Sequence, residues 1–534
     1  PSLRTMATNQ VNGDVNAEHE RLKQYKNVAK HEDMRRRRTE CSVELRKQKR
    51  DEALMKRRNI ANDTIESESC TEDESSKLPA DLANAGTKPL TIPEIVIILQ
   101  SNPSIEQLRT AFEAVRRILS RSNDAPIDEV IRSGLITALV QALYVEDEKV
   151  RFEAAWGLTN IVSGTHEQTM AVVKEGAIEP LLVLCKSPSL LVSEQACWAV
   201  ANIVGEGAET RDLVLKAGIL DAIRPLCERL DSLSVTFART LAWLQSNLCR
   251  LKNPPVDAKV LRIVASNLKK FLLHEDKTVR QDSCWALAYL TDGNDSQVSL
   301  ALEYGCVGPV VNMLKSSKES EIAPALRVLG NFATGSDNLT QVVIDNGVLS
   351  IVKDIMAQTR SQSLIKECCW LLSNVIAGTQ SQINAVIKAG LISPIVDALQ
   401  NGDNRSQVEA SWAIANLSQG GQARQILQLA EKEYIKVFCD VLSPSSHVDL
   451  LVNTLETMFF LLTTLSNQES KKMSLATACD HIEEFDGLTK LEQLQEHANV
   501  KVYEAAYKII ERFFQEDSND DEKIDLSPDN HFEF

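Results

Sequence analysis

Gly134-Leu-Ile-Thr-Ala-Leu139, Gly176-Ala-Ile-Glu-Pro-Leu181 and Gly218-Ile-Leu-Asp-Ala-Ile223 repeat one phrase, a glycine opening a short apolar helix, at steps of 42 and 42 residues. A glycine returns 87 residues on at Gly305, then after 42 more in Gly347-Val-Leu-Ser-Ile-Val352, and after 43 in Gly390-Leu-Ile-Ser-Pro-Ile395. The longer step spans two periods with a small insertion near Asn253-Pro254-Pro255. Glycine at such a point breaks the chain sharply between helices. One such start is ordinary; five in register are a repeat.

A period of about 40–47 residues is that of HEAT or armadillo units, built from short stacked helices. From Ile92 to Phe514 this period predicts about ten units, each with one short helix and two longer ones. Stacking would place the last helix of every unit along one concave face. Composition agrees: 43% of residues are apolar and only 5% aromatic, which suits helices packed closely on helices.

The net charge of −16 conceals an asymmetry. Arg21 to Arg58 holds 15 Lys/Arg against 6 Asp/Glu, a local +9 that leaves −25 on the remaining residues. A basic arm on an acidic body can fold back on that body, or the body can take basic partners. Nucleic-acid contact through the arm is the simpler reading of the arm alone, but the acidic body would repel phosphates. Residues 1–20 read as disordered and 21–60 as the arm, with a helix from near Cys41. Residues 61–88 read as an acidic flexible linker, 89–515 as the repeat domain and 516–534 as an acidic disordered tail. The 12 cysteines form no metal-ligand spacing. With no long apolar run and no apolar leader, the expectation is a soluble intracellular protein with reduced, mostly buried thiols, no metal and no cofactor.

All six tryptophans, Trp156, Trp198, Trp243, Trp285, Trp370 and Trp412, share one register, at steps of 42, 45, 42, 85 and 42. The skipped unit carries Arg327 in that place. Four residues after five of them stand Asn160, Asn202, Asn247, Asn374 and Asn416; Arg327 keeps Asn331, whereas Trp285 is followed by Tyr289. Residues four apart share a helical face. A single helical Trp is usually core, but here Ala154-Ala155, Ala199-Val200-Ala201, Leu371-Leu372 and Ala413-Ile414-Ala415 can supply the packing. A buried Asn without a partner would cost about 1–3 kcal/mol, so the ladder of Asn is expected to face solvent. Its amides could pair with the N–H and C=O of an extended peptide, while Trp faces hold the stems of cationic side chains.

These residues closely resemble the importin-alpha (karyopherin-alpha) family of nuclear import adaptors, from about residue 21 onward. The resemblance rests on Trp156-Gly-Leu-Thr-Asn160-Ile-Val-Ser-Gly-Thr165, Ser246-Asn-Leu-Cys-Arg250, Asp282-Ser-Cys-Trp285-Ala-Leu-Ala-Tyr289 and Pro324-Ala-Leu-Arg327-Val-Leu-Gly-Asn331. The arm adds Met34-Arg-Arg-Arg-Arg38, Val43-Glu-Leu-Arg-Lys47 and Met55-Lys-Arg-Arg-Asn-Ile60. It implies an all-α, right-handed superhelical solenoid of about ten armadillo repeats with a basic N-terminal arm. It implies a major site for nuclear localisation signals at Trp156, Asn160, Trp198, Asn202, Trp243, Asn247, Asp282 and Trp285, with Gly164, Thr169 and Glu206 around the signal's key lysine. Glu206 stands where the family usually has Asp. The implied minor site uses Arg327, Asn331, Glu367, Trp370, Asn374, Glu409, Trp412 and Asn416. The ladder is thereby divided at Tyr289 and Arg327, and two pockets imply one- and two-cluster signals.

For the arm, the resemblance implies importin-beta binding through Arg35, Arg36, Arg37, Arg38, Arg46, Lys47, Lys49 and Arg50. Lys56, Arg57 and Arg58 would occupy the chain's own groove until importin-beta withdraws them. An export receptor would engage the region around 440–515, and the adaptor would shuttle between cytoplasm and nucleus, with no direct nucleic-acid or membrane partner. No enzyme is expected: His166 beside Glu167 and His274 beside Glu275 read as isolated, solvated turn residues, and no phosphate-binding loop is present. The competing class is an armadillo scaffold for adhesion or signalling. It would share the period but lack a Trp ladder joined to an Arg-rich arm.

Overall fold

The computed structural model describes residues 56–57, 89–121, 125–250, 253–468, 470 and 472–514. The segments expected at 1–20, 61–88 and 516–534 lie outside them. So do Arg35–Arg38, Arg46, Lys47, Lys49, Arg50 and Arg58 and the helix expected near Cys41. The chain forms two compact units, Pro1–Met313 and Leu314–Phe534.

Helices account for all the regular structure among the described residues. In the first unit the long ones are α1 (Ile105–Leu119), α2 (Glu148–Val162), α3 (Leu190–Glu206), α4 (Val235–Arg250) and α5 (Lys277–Thr291). In the second they are α6 (Glu319–Ala333), α7 (Gln362–Ile376), α8 (Asn404–Gly420), α9 (Val448–Asn467) and α10 (Val500–Phe513). Within each unit every long helix packs on the next, α1 on α2 through to α5, and α6 on α7 through to α10.

The local build of one repeat shows why. Thr165 caps His166–Lys174 through a reciprocal capping box with Gln168. Gly176, at φ +82°, then turns the chain through a left-handed conformation that costs other residues strain. Ile178–Cys185 follows, and Ser187-Pro188 ends it, because the residue before proline is pushed out of the helical region. α3 comes next. Each repeat therefore holds two short helices and one long one, rather than the expected one short and two longer. The glycine arrives too early to let either of the first two grow.

All six repeat glycines, including Gly134 and Gly390, take positive φ. At the insertion, Pro254 and Pro255 supply no backbone N–H, and the first short helix is missing. The 15-residue helix Ala258–Leu272 follows directly. The buried Arg211 guanidinium anchors this loop by donating to the Pro254 carbonyl at 3.0 Å.

α2 and α3 are apolar on most sides of their middle turns because neighbours cover both flanks. α2 buries Ala154, Ala155, Leu158, Ile161 and Val162, and α3 buries Ala199, Val200 and Ala201. α9 is long and apolar enough to cross a membrane by length and composition. Here it packs between α8 and α10 and buries Leu451, Leu455, Met458 and Leu462 as core. Nine of the ten cysteines among the described residues are buried free thiols and Cys479 is partly buried. Burial pushes the Cys227 and Cys249 thiols up to about 12, which keeps them protonated and inert.

Candidate functional site

The Trp–Asn pairs lie one turn apart on successive long helices: Trp156 and Asn160 on α2, Trp198 and Asn202 on α3, Trp243 and Asn247 on α4. Contrary to expectation, the asparagines do not face solvent. Asn160 and Asn202 are 0% exposed, and Asn247, Asn331, Asn374 and Asn416 are buried too. Stacking supplies the partners that water would otherwise provide. Asn202 Nδ2 donates to the Thr159 carbonyl of α2 at 3.2 Å, Asn247 Nδ2 to the Ala201 carbonyl of α3 at 3.0 Å, and Asn160 Nδ2 to Ser120 Oγ at 3.1 Å. Thr159 O already accepts Ser163 N at 3.1 Å, and a carbonyl's second lone pair makes the added bond possible. Each amide thus ties one long helix to the previous one.

Asn202 still has functional capacity left over. Its Oδ1 accepts the Arg57 backbone N–H at 2.8 Å while Nδ2 donates to the Arg57 carbonyl at 3.0 Å. Trp198 Nε1 donates to the same carbonyl at 2.8 Å. One residue of the arm is thereby held at both its backbone N–H and its carbonyl, as in an added strand.

The flanking side chains are read separately. Lys56 Nζ donates to the Gly164 carbonyl and to Thr169 Oγ1, each at 2.8 Å, and pairs with the Glu206 carboxylate. Three acceptors meet the three hydrogens of an ammonium; a planar guanidinium would not satisfy that arrangement. Gly164 presents its carbonyl because the chain turns after α2, and Thr169 is oriented by donating to Val162 O at 3.2 Å or Thr165 O at 3.1 Å. The Arg57 guanidinium lies 4.7 Å over the Trp243 ring and donates to Asp282 Oδ2 at 2.8 Å. Trp285 is half-buried on α5, its ring 6.0 Å from that of Tyr289.

The two carboxylates differ in charge balance. Burial pushes the Glu206 carboxyl up, but Lys56 and His166 together outweigh it and hold it below its ordinary value. Burial also pushes up the Asp282 carboxyl, and there it wins over the pull of Arg57. The sequence alone makes His166 an isolated turn residue. Its Nδ1 instead lies 2.9 Å from Glu206 Oε1. His274 stays in its loop, its Nδ1 accepting Asp276 N–H at 3.0 Å.

The second unit carries the other cluster. Arg327 of α6 lies 4.5 Å over the Trp370 ring and donates to Glu367 Oε1 at 2.7 Å; all three are buried. Asn416 Nδ2 donates to the Ser373 carbonyl at 2.9 Å, repeating the cross-helix tie. Glu409 and Asn374 are buried, Trp412 is half-buried, and Asn331 lies one turn after Arg327. The Trp370 ring packs against Gly330, where a Cβ would fall 1.9 Å from its Cζ3. Sequence reasoning missed Gly330, His166 and the buried pair Arg116–Glu153 on Trp156. Glu153 left a signal, since it precedes Trp156 by three residues as Glu367 precedes Trp370, and so did Arg116, which stands about one repeat before Trp156 as Arg327 does before Trp370.

Comparison with known proteins gives concordant matches. The importin beta binding domain family matches residues 21–111, the armadillo/beta-catenin-like repeat family matches 123–163, 165–205 and 379–419, and the atypical Arm repeat family matches 477–528. Importin subunit alpha-2 of Caenorhabditis elegans is 47% identical over 93% of this chain and 92% of its own. Importin subunit alpha-4 of Arabidopsis thaliana is 36% identical over 96% and 94%. The crystal structure of an engineered protein superposes with TM-score 0.69 at 24% identity, covering 79% of this chain and 98% of that one, which speaks to fold alone.

Proposed function

This chain belongs to the importin-alpha family, and on that premise we propose that its Trp–Asn ladders bind basic nuclear localisation signals and that its arm is a competing internal ligand. As a family member it is a nuclear import adaptor that binds importin-beta, and it is no enzyme. The major site is Trp156, Asn160, Trp198, Asn202, Trp243, Asn247, Asp282 and Trp285, with Gly164, Thr169 and Glu206 selecting lysine. The minor site is Arg327, Asn331, Glu367, Trp370, Asn374, Glu409, Trp412 and Asn416. One-cluster signals use the first and two-cluster signals use both.

The observation that carries the reading is the double bracket on Arg57: Asn202 accepts its N–H at 2.8 Å and donates to its carbonyl at 3.0 Å, with Lys56 alongside in a three-acceptor pocket. Backbone contacts of this kind accept any extended peptide, and the flanking slots choose its side chains. Importin-beta, by engaging Arg35–Arg38, Arg46, Lys47, Lys49 and Arg50, removes Lys56, Arg57 and Arg58 from the site and opens it to cargo. An export receptor takes the region around 440–515, and the protein shuttles between cytoplasm and nucleus. The test is titration of a fluorescent Lys-Lys-Lys-Arg-Lys peptide into the full chain and into a chain lacking residues 1–60. The truncated chain is expected to bind about 10-fold tighter or more, because a short tether holds its ligand at millimolar effective concentration. Equal affinities would overturn the autoinhibition.

A further inference from the structure

Among the described residues, the Arg57 contact shares its form with two others. A guanidinium lies over an indole and is held by a carboxylate: Arg57 on Trp243 with Asp282 at 2.8 Å, Arg327 on Trp370 with Glu367 at 2.7 Å, and Arg116 on Trp156 with Glu153 at 2.8 Å. The first cation comes from a peptide-like arm. The other two are resident in the stack. Arg116 is 9% exposed and Glu153 3%, so this pair is buried beneath the first indole of the ladder.

Arg116 also shares the register of Arg327. Four residues on from Arg327 comes Asn331, and four on from Arg116 comes Ser120, which accepts the Asn160 amide. On α1, Arg116 and Ser120 thus occupy the places that Trp and Asn hold on α2, α3 and α4. Arg116 reaches Trp156 from α1, on the side of α2 away from α3, as Arg327 reaches Trp370 from α6, away from α8.

Resting on the peptide-site reading, we infer that Arg116 is a plug that sets how many cationic residues the first ladder reads. A guanidinium parked on that face of Trp156 denies it to a ligand's arginine or lysine. The carboxylate that would receive the ligand's charge, Glu153, is already spent on Arg116. The ladder's readable slots end there, and a signal longer by one cation gains nothing from its extra charge at this end. Removing the resident cation leaves an exposed indole face and a buried carboxylate without a counter-ion, which is the slot that Arg57 fills at Trp243 and Asp282.

The experiment uses the full chain and five fluorescent peptides: a basic core, the core extended by two residues ending in Arg at one or the other terminus, and the same two extensions ending in Ala. The unchanged arm competes equally with each, so the ratio of affinities cancels it. The wild-type chain is expected to bind Arg- and Ala-extended peptides within about 2-fold of each other, whereas Arg116→Ala prefers one Arg extension by about 10-fold. Adding Glu153→Gln abolishes that preference. Arg116→Ser repeats the measurement in a side chain that can hydrogen-bond locally, should the alanine variant melt early. A wild-type chain that already gains from the added Arg, or variants that gain nothing, overturns the plug. Failure of the site itself has a separate signature: Trp198→Ala would then leave the core peptide's affinity unchanged.

Discussion

At the residue scale, Asn202 serves the stack and the arm at once. Its amide makes one bond to the stack and two to the arm. Asn202→Ala or Trp198→Ala is therefore expected to weaken a one-cluster peptide by about 10- to 100-fold, the loss of one to three kcal/mol of hydrogen bonding. Trp412→Ala should cost that peptide less than 3-fold by the same titration; equal losses would reject the division into major and minor sites. Glu206 predicts a pH dependence. Its carboxyl is lowered in the seated state, so its contribution to arm seating is full above the ordinary carboxylate value and is lost as pH falls through the lowered one. The Trp198 indole N–H resonance, whose proton points at the Arg57 carbonyl, reports seating. It should shift on acidification in the wild type and not follow that titration in Glu206→Gln.

At the scale of elements, what stands out is how little room the long helices leave one another. Gly330 of α6 lets the Trp370 ring of α7 lie on its backbone. Gly330→Ala is expected to lower stability by about 1–3 kcal/mol, because neither the ring nor the helix can withdraw without strain. A thermal melt measures the stability, and a parallel loss of Trp370-dependent peptide binding ties the change to the ring. The periodic glycines and tryptophans were legible in the sequence because a period survives any detail of packing. The buried asparagines were not. Whether a polar side chain faces water depends on which carbonyls the neighbouring repeat brings opposite it, and Thr159, Ala201 and Ser373 share only their place one residue before a ladder asparagine, not a residue type that marks an acceptor.

For the whole molecule, the two ladders fall in separate units, Trp156 to Trp285 in the first and Trp370 to Trp412 in the second. The arm's Lys56 and Arg57 engage the first. If the arm serves both as internal ligand and as handle for importin-beta, a peptide of residues 21–60 alone should capture importin-beta in a pull-down. Adding importin-beta to the full chain should raise cargo-peptide affinity to that of the chain lacking residues 1–60. Capture without any gain in cargo affinity would separate the handle from the switch.

The sequence by itself determined the repeat, its period of about 42 residues, the register of every Trp and Asn, and the charge opposition of arm and body. These are properties of order along a chain. Tertiary structure decided which polar groups were spent within the stack and which remained for a ligand. It turned His166 toward Glu206, spent one amide hydrogen of Asn202 on Thr159 while leaving the rest for Arg57, and set Arg116 upon Trp156. Each of those pairings joins residues 40 or more positions apart through contacts a few ångströms long. Only the stacking of one repeat on the next brings such groups within reach.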